Sequence, residues 1–340
     1  MLTLDMIAQA QHRLRRLVHR TPLVPSAALS SRLGAPTYLK LECLQKTGSF
    51  KPRGAFNKLL SLSAEERRRG VTAVSGGNHA QGVAYAARQL GVAATIAMPE
   101  NTPRNYLEAT RNYGAEIVLT PDVRAAFAES ARLQSEGRVQ IHPFDDPLVA
   151  AGQGTIGMEI LEDLPEVTRV YVSVGGGGLI SGVATALRSI KPEVRVVGVE
   201  TEGADAMSRA LAAGRPVELP AITSIARTLG APSVSEFTLD HVRRLAEPVV
   251  VVSDGEAVAA LFWLLERTKY VTEPAAACCL AAAERQRERL TSADRVVLLM
   301  CGGNVSAEDL ATYWVRFHGA SAAPSPPDKT PPSCYQDRIL

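Results

Sequence analysis

No run of about 18 consecutive apolar residues occurs anywhere in the 340 residues, so no membrane-spanning helix is expected, and the N-terminus lacks the apolar core of a secretion signal. Charge of neither sign prevails. Lys+Arg 37 against Asp+Glu 35 gives a formal net charge of +2, which supplies no electrostatic reason to expect nucleic acid or an anionic membrane as partner. The run Arg67, Arg68, Arg69 follows Glu65 and Glu66 and reads as a solvated helix end. Cysteine is scarce too. The five (Cys43, Cys278, Cys279, Cys301, Cys334) show no metal-ligand spacing, and their odd number argues against a fully paired disulfide framework. A reducing cytosol suits them, no metal site is expected, and Cys278 and Cys279, in an alanine-rich stretch, read as small core residues. Internal repeats are lacking as well. What remains is an ordinary globular composition, 46% hydrophobic and 21% charged, in a chain long enough for two domains.

What is present is a regular alternation. Strands are expected at 38–41, 71–75, 94–98, 116–119, 139–142, 170–174, 194–200, 249–252 and 296–300, separated by helical patterns. A first helix is expected over 3–19, one capped by Thr102 with Pro103 at its first position, one over 152–163, one capped by Asp254 and one begun by Pro274. Such alternation implies parallel sheets covered by helices on both faces, an α/β fold. The pattern breaks at Pro143 and restarts. Residues 214–245 are rich in Pro, Ser and Thr and are expected to be loops, and the tail from about Ala320, with five prolines, to be disordered.

Three glycine-bearing stretches carry chemistry. In Thr47–Asn57, Ser49 reads as a helix N-cap and Pro52 as a first-turn residue, which puts Lys51 at the positive end of a helix dipole. That placement disfavours an ammonium by roughly 0.3–1 kcal/mol, and the adjoining Phe50 desolvates it further. A neutral amine there is what condensation with a carbonyl requires. Gly175 to Gly178 lie between a buried strand and a helix start, where successive amides make an anion nest. The nest lacks the Lys-Ser/Thr ending of a nucleotide P-loop, and Ile180 or Ser181 stands where a dinucleotide fingerprint has its third glycine. Ser75 to His79 is a strand-to-helix turn whose exposed amides suit a carboxylate, or else a glycine turn capped by Asn78. Glu273 before Pro274 lies near the site or is simply a helix-start acid.

These pieces, with Lys40-Leu41-Glu42, Ala151–Gly157, Thr272-Glu273-Pro274 and Cys301-Gly302-Gly303-Asn304, occur in the order found in fold-type II pyridoxal-phosphate enzymes. Over residues 15–310 the chain resembles the serine/threonine dehydratase (threonine ammonia-lyase) and serine racemase family. The resemblance implies a tryptophan synthase β-like fold of two three-layer α/β domains with the active site between them. The expected large domain is 1–69 with 148–319, and the small domain 70–147. It implies pyridoxal 5'-phosphate held by Phe50, Lys51, Asn78, Gly175 to Gly178 and Cys301, with Asn78 on the ring oxygen and Cys301 at the pyridine nitrogen. Ser75, Gly77, Asn78 and His79 would hold the substrate carboxylate, and Lys51 would take the α-proton. The implied reaction is β-elimination of a β-hydroxy amino acid to a 2-oxo acid and ammonia, by a cytoplasmic dimer or tetramer. Several residues depart from the pattern. Gly76 offers no proton and disfavours racemisation, Ala206 replaces a metal-binding Asp, and Tyr106 and Ala226-Arg227-Thr228 are unusual on the substrate side. They leave room for a bulkier 3-hydroxy amino acid. Cysteine synthase-like β-replacement is disfavoured by Lys51-Pro52-Arg53-Gly54 and Asn78-His79-Ala80, and a non-enzymatic nucleotide sensor using the glycine nest and Glu200 is the reading outside catalysis.

Overall fold

The computed structural model describes residues 1–319, and these fall in two compact units, Met1–Val305 and a second that opens at Ser306. The second contains the helix Ala307–His318, started by a capping box between Ser306 and Asp309. The expected tail from Ala320 lies outside the described residues.

Met1–Val305 holds two sheets. The strands are β1 (Leu23–Pro25), β2 (Thr37–Lys40), β3 (Val71–Val74), β4 (Ala94–Pro99), β5 (Glu116–Thr120), β6 (Val139–Gln140), β7 (Arg169–Ser173), β8 (Arg195–Thr201), β9 (Glu247–Val252) and β10 (Val296–Leu299). One sheet runs β1-β2-β10-β7-β8-β9 and the other β5-β4-β3-β6. Every neighbouring pair is parallel except β1 with β2. Strands such as β3 and β10 are buried throughout, as parallel strands covered on both faces must be.

Several boundaries differ from the sequence reading. The first helix is only Leu4–Leu14. The helix expected to be capped by Thr102 begins at Arg104, with Pro103 at the cap position. Ser253, not Asp254, caps the helix Asp254–Thr268, through a reciprocal pair with Glu256. Within the stretch expected to be loops, Glu236–Leu245 is a helix, because Ser235 and Thr238 form a capping box ahead of its apolar positions.

The helix Lys51–Leu60 contributes Ala55, Phe56 and Leu59 to the core of the four-stranded sheet, beside Val71, Ala73, Val83 and Ile96. Its first turn is crowded on purpose: a Cβ on Gly82 would come within 2.8 Å of Lys51 Cβ, so the helix Asn78–Gln89 passes as close as its backbone allows. The other side of this helix is fixed by charge. Arg53 is fully buried and donates to both oxygens of Glu42 (2.8 and 2.9 Å) and of Glu159 (2.7 and 2.9 Å). Lys40 Nζ completes the group on Glu159 Oε2 at 2.6 Å and on the Thr21 carbonyl at 2.8 Å. Burial alone would raise the Glu42 carboxyl, but the Arg53 charge and hydrogen bonds outweigh it and hold the group below its ordinary range.

Candidate active site

Lys51 opens its helix, yet Ser49 does not cap it. Phe50 occupies the cap position in helical conformation with no side-chain cap bond, and Ser49 Oγ is buried without a partner among the described residues. The segment is held instead by main chain: Phe50 N–H donates to the Cys301 carbonyl at 3.1 Å, and Ser49 bridges Gly302. Lys51 Nζ lies 5.0 Å from the Phe50 ring centroid and donates to the Pro143 carbonyl at 3.1 Å. The residue keeps some exposure, but its amine is enclosed enough that burial lowers its pKa to about 8, against a partial upward pull from Cys301 and Glu273. The expected route to a neutral amine was dipole and Phe50; the main cause is burial.

Pro143 leads to the glycine loop. Phe144 packs against Gly176 and Gly178 so closely that a Cβ on either would collide with it. Gly177 sits at φ +92 as the N-cap of the helix Gly178–Ile190, a conformation strained for any residue with a side chain. Among the described residues, the amides of Gly175, Gly176 and Gly177 donate to no carbonyl or side chain. They form a row of free donors at a positive helix end.

The Ser75–His79 turn reaches the same place through Glu273. Asn78 Nδ2 lies 2.9 and 3.1 Å from the two Glu273 oxygens, and Asn78 Oδ1 accepts from Asn304 Nδ2 at 2.8 Å. Thr228 Oγ1 donates to Glu273 Oε1 at 2.8 Å, and Tyr106 Oη donates to the Asn304 carbonyl at 2.5 Å. Glu273 thus stands at a helix start without acting as a side-chain cap. Burial raises its pKa, with Thr228 and Asn78 pulling it down. Ser75 Oγ accepts from Gly77 N–H at 3.0 Å. His79 Nε2 is 2.8 Å from the Ile141 carbonyl, and burial, then the nearby Lys51 charge, pushes its pKa well below the ordinary value. Cys301 follows β10, with its Sγ 3.7 Å from Ser173 Oγ, and burial raises its pKa far above that of a free thiol. Cys278 and Cys279 are core residues.

Direct contacts thus join Lys51 to Pro143, Phe144 to the glycine loop, and Asn78 to Glu273, Thr228 and Asn304. The sequence marks Thr228 only as an unusual substrate-side residue and Asn304 only as the end of a motif, and it gives Phe144 no role. Asn304 had a signal, ending the Cys301-Gly302-Gly303-Asn304 motif. Thr228 had one as part of the unusual Ala226-Arg227-Thr228, and Phe144 had none.

An enclosed lysine of lowered pKa, a row of unpaired amides and a buried thiol match the carbonyl, phosphate and ring of pyridoxal phosphate. The family model described as pyridoxal-phosphate dependent enzyme matches residues 14–302, and the chain belongs to that family. The L-threonine ammonia-lyase of Thermotoga maritima is 45% identical over 307 residues, covering 90% of this chain and 76% of that protein. The phenylserine dehydratase of Ralstonia pickettii is 40% identical over 311 residues, covering 91% of this chain and 95% of that protein. Maize serine racemase has a solved structure with a TM-score of 0.87 at 36% identity, covering 93% of this chain and 97% of that one. The protein is a fold-type II pyridoxal-phosphate enzyme of the ammonia-lyase type. The nucleotide-sensor alternative falls, and Glu200 is otherwise engaged: its oxygens accept from Met207 N–H, Ser208 N–H and Ser208 Oγ at 2.8, 2.9 and 2.6 Å.

Proposed function

We propose that the protein removes the β-hydroxyl of L-threonine or L-serine, releasing a 2-oxo acid and ammonia. The observation that carries this is the enclosed Lys51 amine, poised near neutrality between the glycine loop and the Asn78–Glu273 pair. When bound, pyridoxal phosphate supplies an electron sink that acidifies the α-hydrogen of an attached amino acid. The amides of Gly175 to Gly178 would hold its phosphate, Phe50 and Lys51 would hold its carbonyl end, and Asn78 and Cys301 would face its ring. Ser75, Gly77, Asn78 and His79 grip the substrate carboxylate, and Lys51 Nζ moves the α-proton. A buried thiol such as Cys301 beside the ring nitrogen would not hold a proton there as a carboxylate would, which would favour elimination over transamination. The segment 70–147, which carries the whole four-stranded sheet, acts as the small domain on the substrate side. The enzyme works as a homo-oligomer, and in a reducing cytosol, the compartment that the unpaired Cys43, Cys278, Cys279 and Cys301 suit.

A second reading, elimination from a bulkier 3-hydroxy amino acid, is favoured by the likeness to a phenylserine dehydratase. The two are separated by ammonia release from L-threonine, L-serine and L-threo-phenylserine. A kcat/KM highest for L-threonine or L-serine supports the first reading, and one highest for phenylserine replaces it with the second. No ammonia from any of them overturns both.

The lowered pKa of Lys51 also sets a pH dependence. A lysine reacts only as the free amine, so the rate at which cofactor-free protein takes up pyridoxal phosphate should rise by up to about tenfold per pH unit below 8 and level off above it. A rate still climbing at pH 10 would show an unperturbed lysine.

A further inference from the structure

Residue 76 has no side chain, and the space that one would occupy is filled from elsewhere. A Cβ on Gly76 would lie 2.8 Å from Thr102 Oγ1 and 3.7 Å from both Thr102 Cβ and Pro99 Cδ. The missing side chain therefore leaves little extra room for a larger substrate. It leaves room for a hydroxyl.

That hydroxyl is without employment inside the protein. Thr102 is 7% exposed, and its Oγ1 is buried with no hydrogen-bond partner among the described residues. It does not cap the helix Arg104–Asn112, which takes Pro103 at its cap position and has no side-chain cap bond. An enclosed hydroxyl without a partner destabilises a fold, so a threonine here points to a partner that arrives from solution. The surroundings say what charge that partner carries. Two helix N-termini, those of Asn78–Gln89 and Arg104–Asn112, meet at this spot, as Tyr106 Cε1 stands 3.9 Å from a Cβ placed on Gly77. Between them the Gly76 amide donates to no group among the described residues. Two positive helix ends, a free amide and a free hydroxyl suit a carboxylate.

We propose that Thr102 is a substrate-binding residue whose Oγ1–H donates to the α-carboxylate of the amino acid held by the Ser75–His79 turn, in the place that a side chain on residue 76 would otherwise take. This rests on the reading of that turn as the carboxylate site. Gly76 and Thr102 then form a coupled pair, in which a larger residue at 76 requires a smaller one at 102.

The test uses the cofactor-loaded enzyme and the variants Thr102→Val, Thr102→Ser, Gly76→Ser and the double variant Gly76→Ser/Thr102→Ala. Thr102→Val should raise the KM for L-threonine by roughly tenfold or more, the worth of one charge-assisted hydrogen bond, with kcat within about twofold, since the contact serves ground and transition state alike. Thr102→Ser should stay near the parent value, and the double variant should bind better than Gly76→Ser alone. Binding of L-alanine, which has no β-hydroxyl to lose, read from the cofactor's absorbance, should weaken in Thr102→Val by the same factor. An unchanged KM and unchanged L-alanine binding in Thr102→Val would overturn the proposal, as would a loss confined to kcat. If the parent enzyme binds L-alanine but turns over no hydroxy amino acid, the proposed function fails while the L-alanine comparison still decides the role of Thr102.

Discussion

Replacing Lys51 with alanine is expected to slow elimination from L-threonine by about four orders of magnitude or more, since one side chain provides both the covalent attachment and the proton transfer. Nothing nearby substitutes for it. His79 is the closest other base in character, but it is held neutral with Nε2 on the Ile141 carbonyl, and its Nδ1 is buried. Folding should survive the change, because Lys51 makes one hydrogen bond, to the Pro143 carbonyl, and its amine is destabilised by burial. A Tm within a few degrees of the parent, with activity lost, is the expected pair of results. Residual activity above about 1% of the parent would assign the proton transfer to another group.

Replacing Arg53 with methionine should cost about 3–5 kcal/mol of stability, because two buried carboxylates lose their shared counter-charge. Glu42 is fully enclosed and would keep only the Thr21 hydroxyl and the more distant Lys40 charge. Glu159 would retain Lys40. Thermal unfolding followed by circular dichroism should show a Tm lower by on the order of 10 °C. Arg53→Lys should recover part of the loss, since it restores the charge without the fork that engages both carboxylates. A Tm unchanged in Arg53→Met would mean that the carboxylates find protons or water at no cost. Because Arg53 lies two residues beyond Lys51, the same variant should also weaken cofactor retention.

The parts of the fold that could be read in the sequence are those with a repeating physical signal. The apolar runs Val71 to Val74 and Val296 to Leu299 announce buried parallel strands, and Gly175 to Gly178 announces an anion nest. β1 could not be read, since three residues ending in Pro25 carry no alternation. The helix Glu236–Leu245 was hidden behind a loop-like stretch, although Ser235 and Thr238 marked its start. Lys51 was legible from chemistry, while its supposed cap was not real, because main-chain bonds from residues 301 and 302 do the work assigned to Ser49. The Arg53–Glu42–Glu159 group, the Thr228–Glu273 bond and the Thr102–Gly76 contact join residues far apart in the chain. No local spacing records such pairings, and only a folded backbone brings them together.

The role of Lys51 is tested by loading the protein with pyridoxal phosphate, reducing it with borohydride, digesting it and locating the added pyridoxyl mass. That mass is expected on Lys51, with none after the Lys51→Ala change. A modification on another lysine, or no modification of the parent protein, would contradict it.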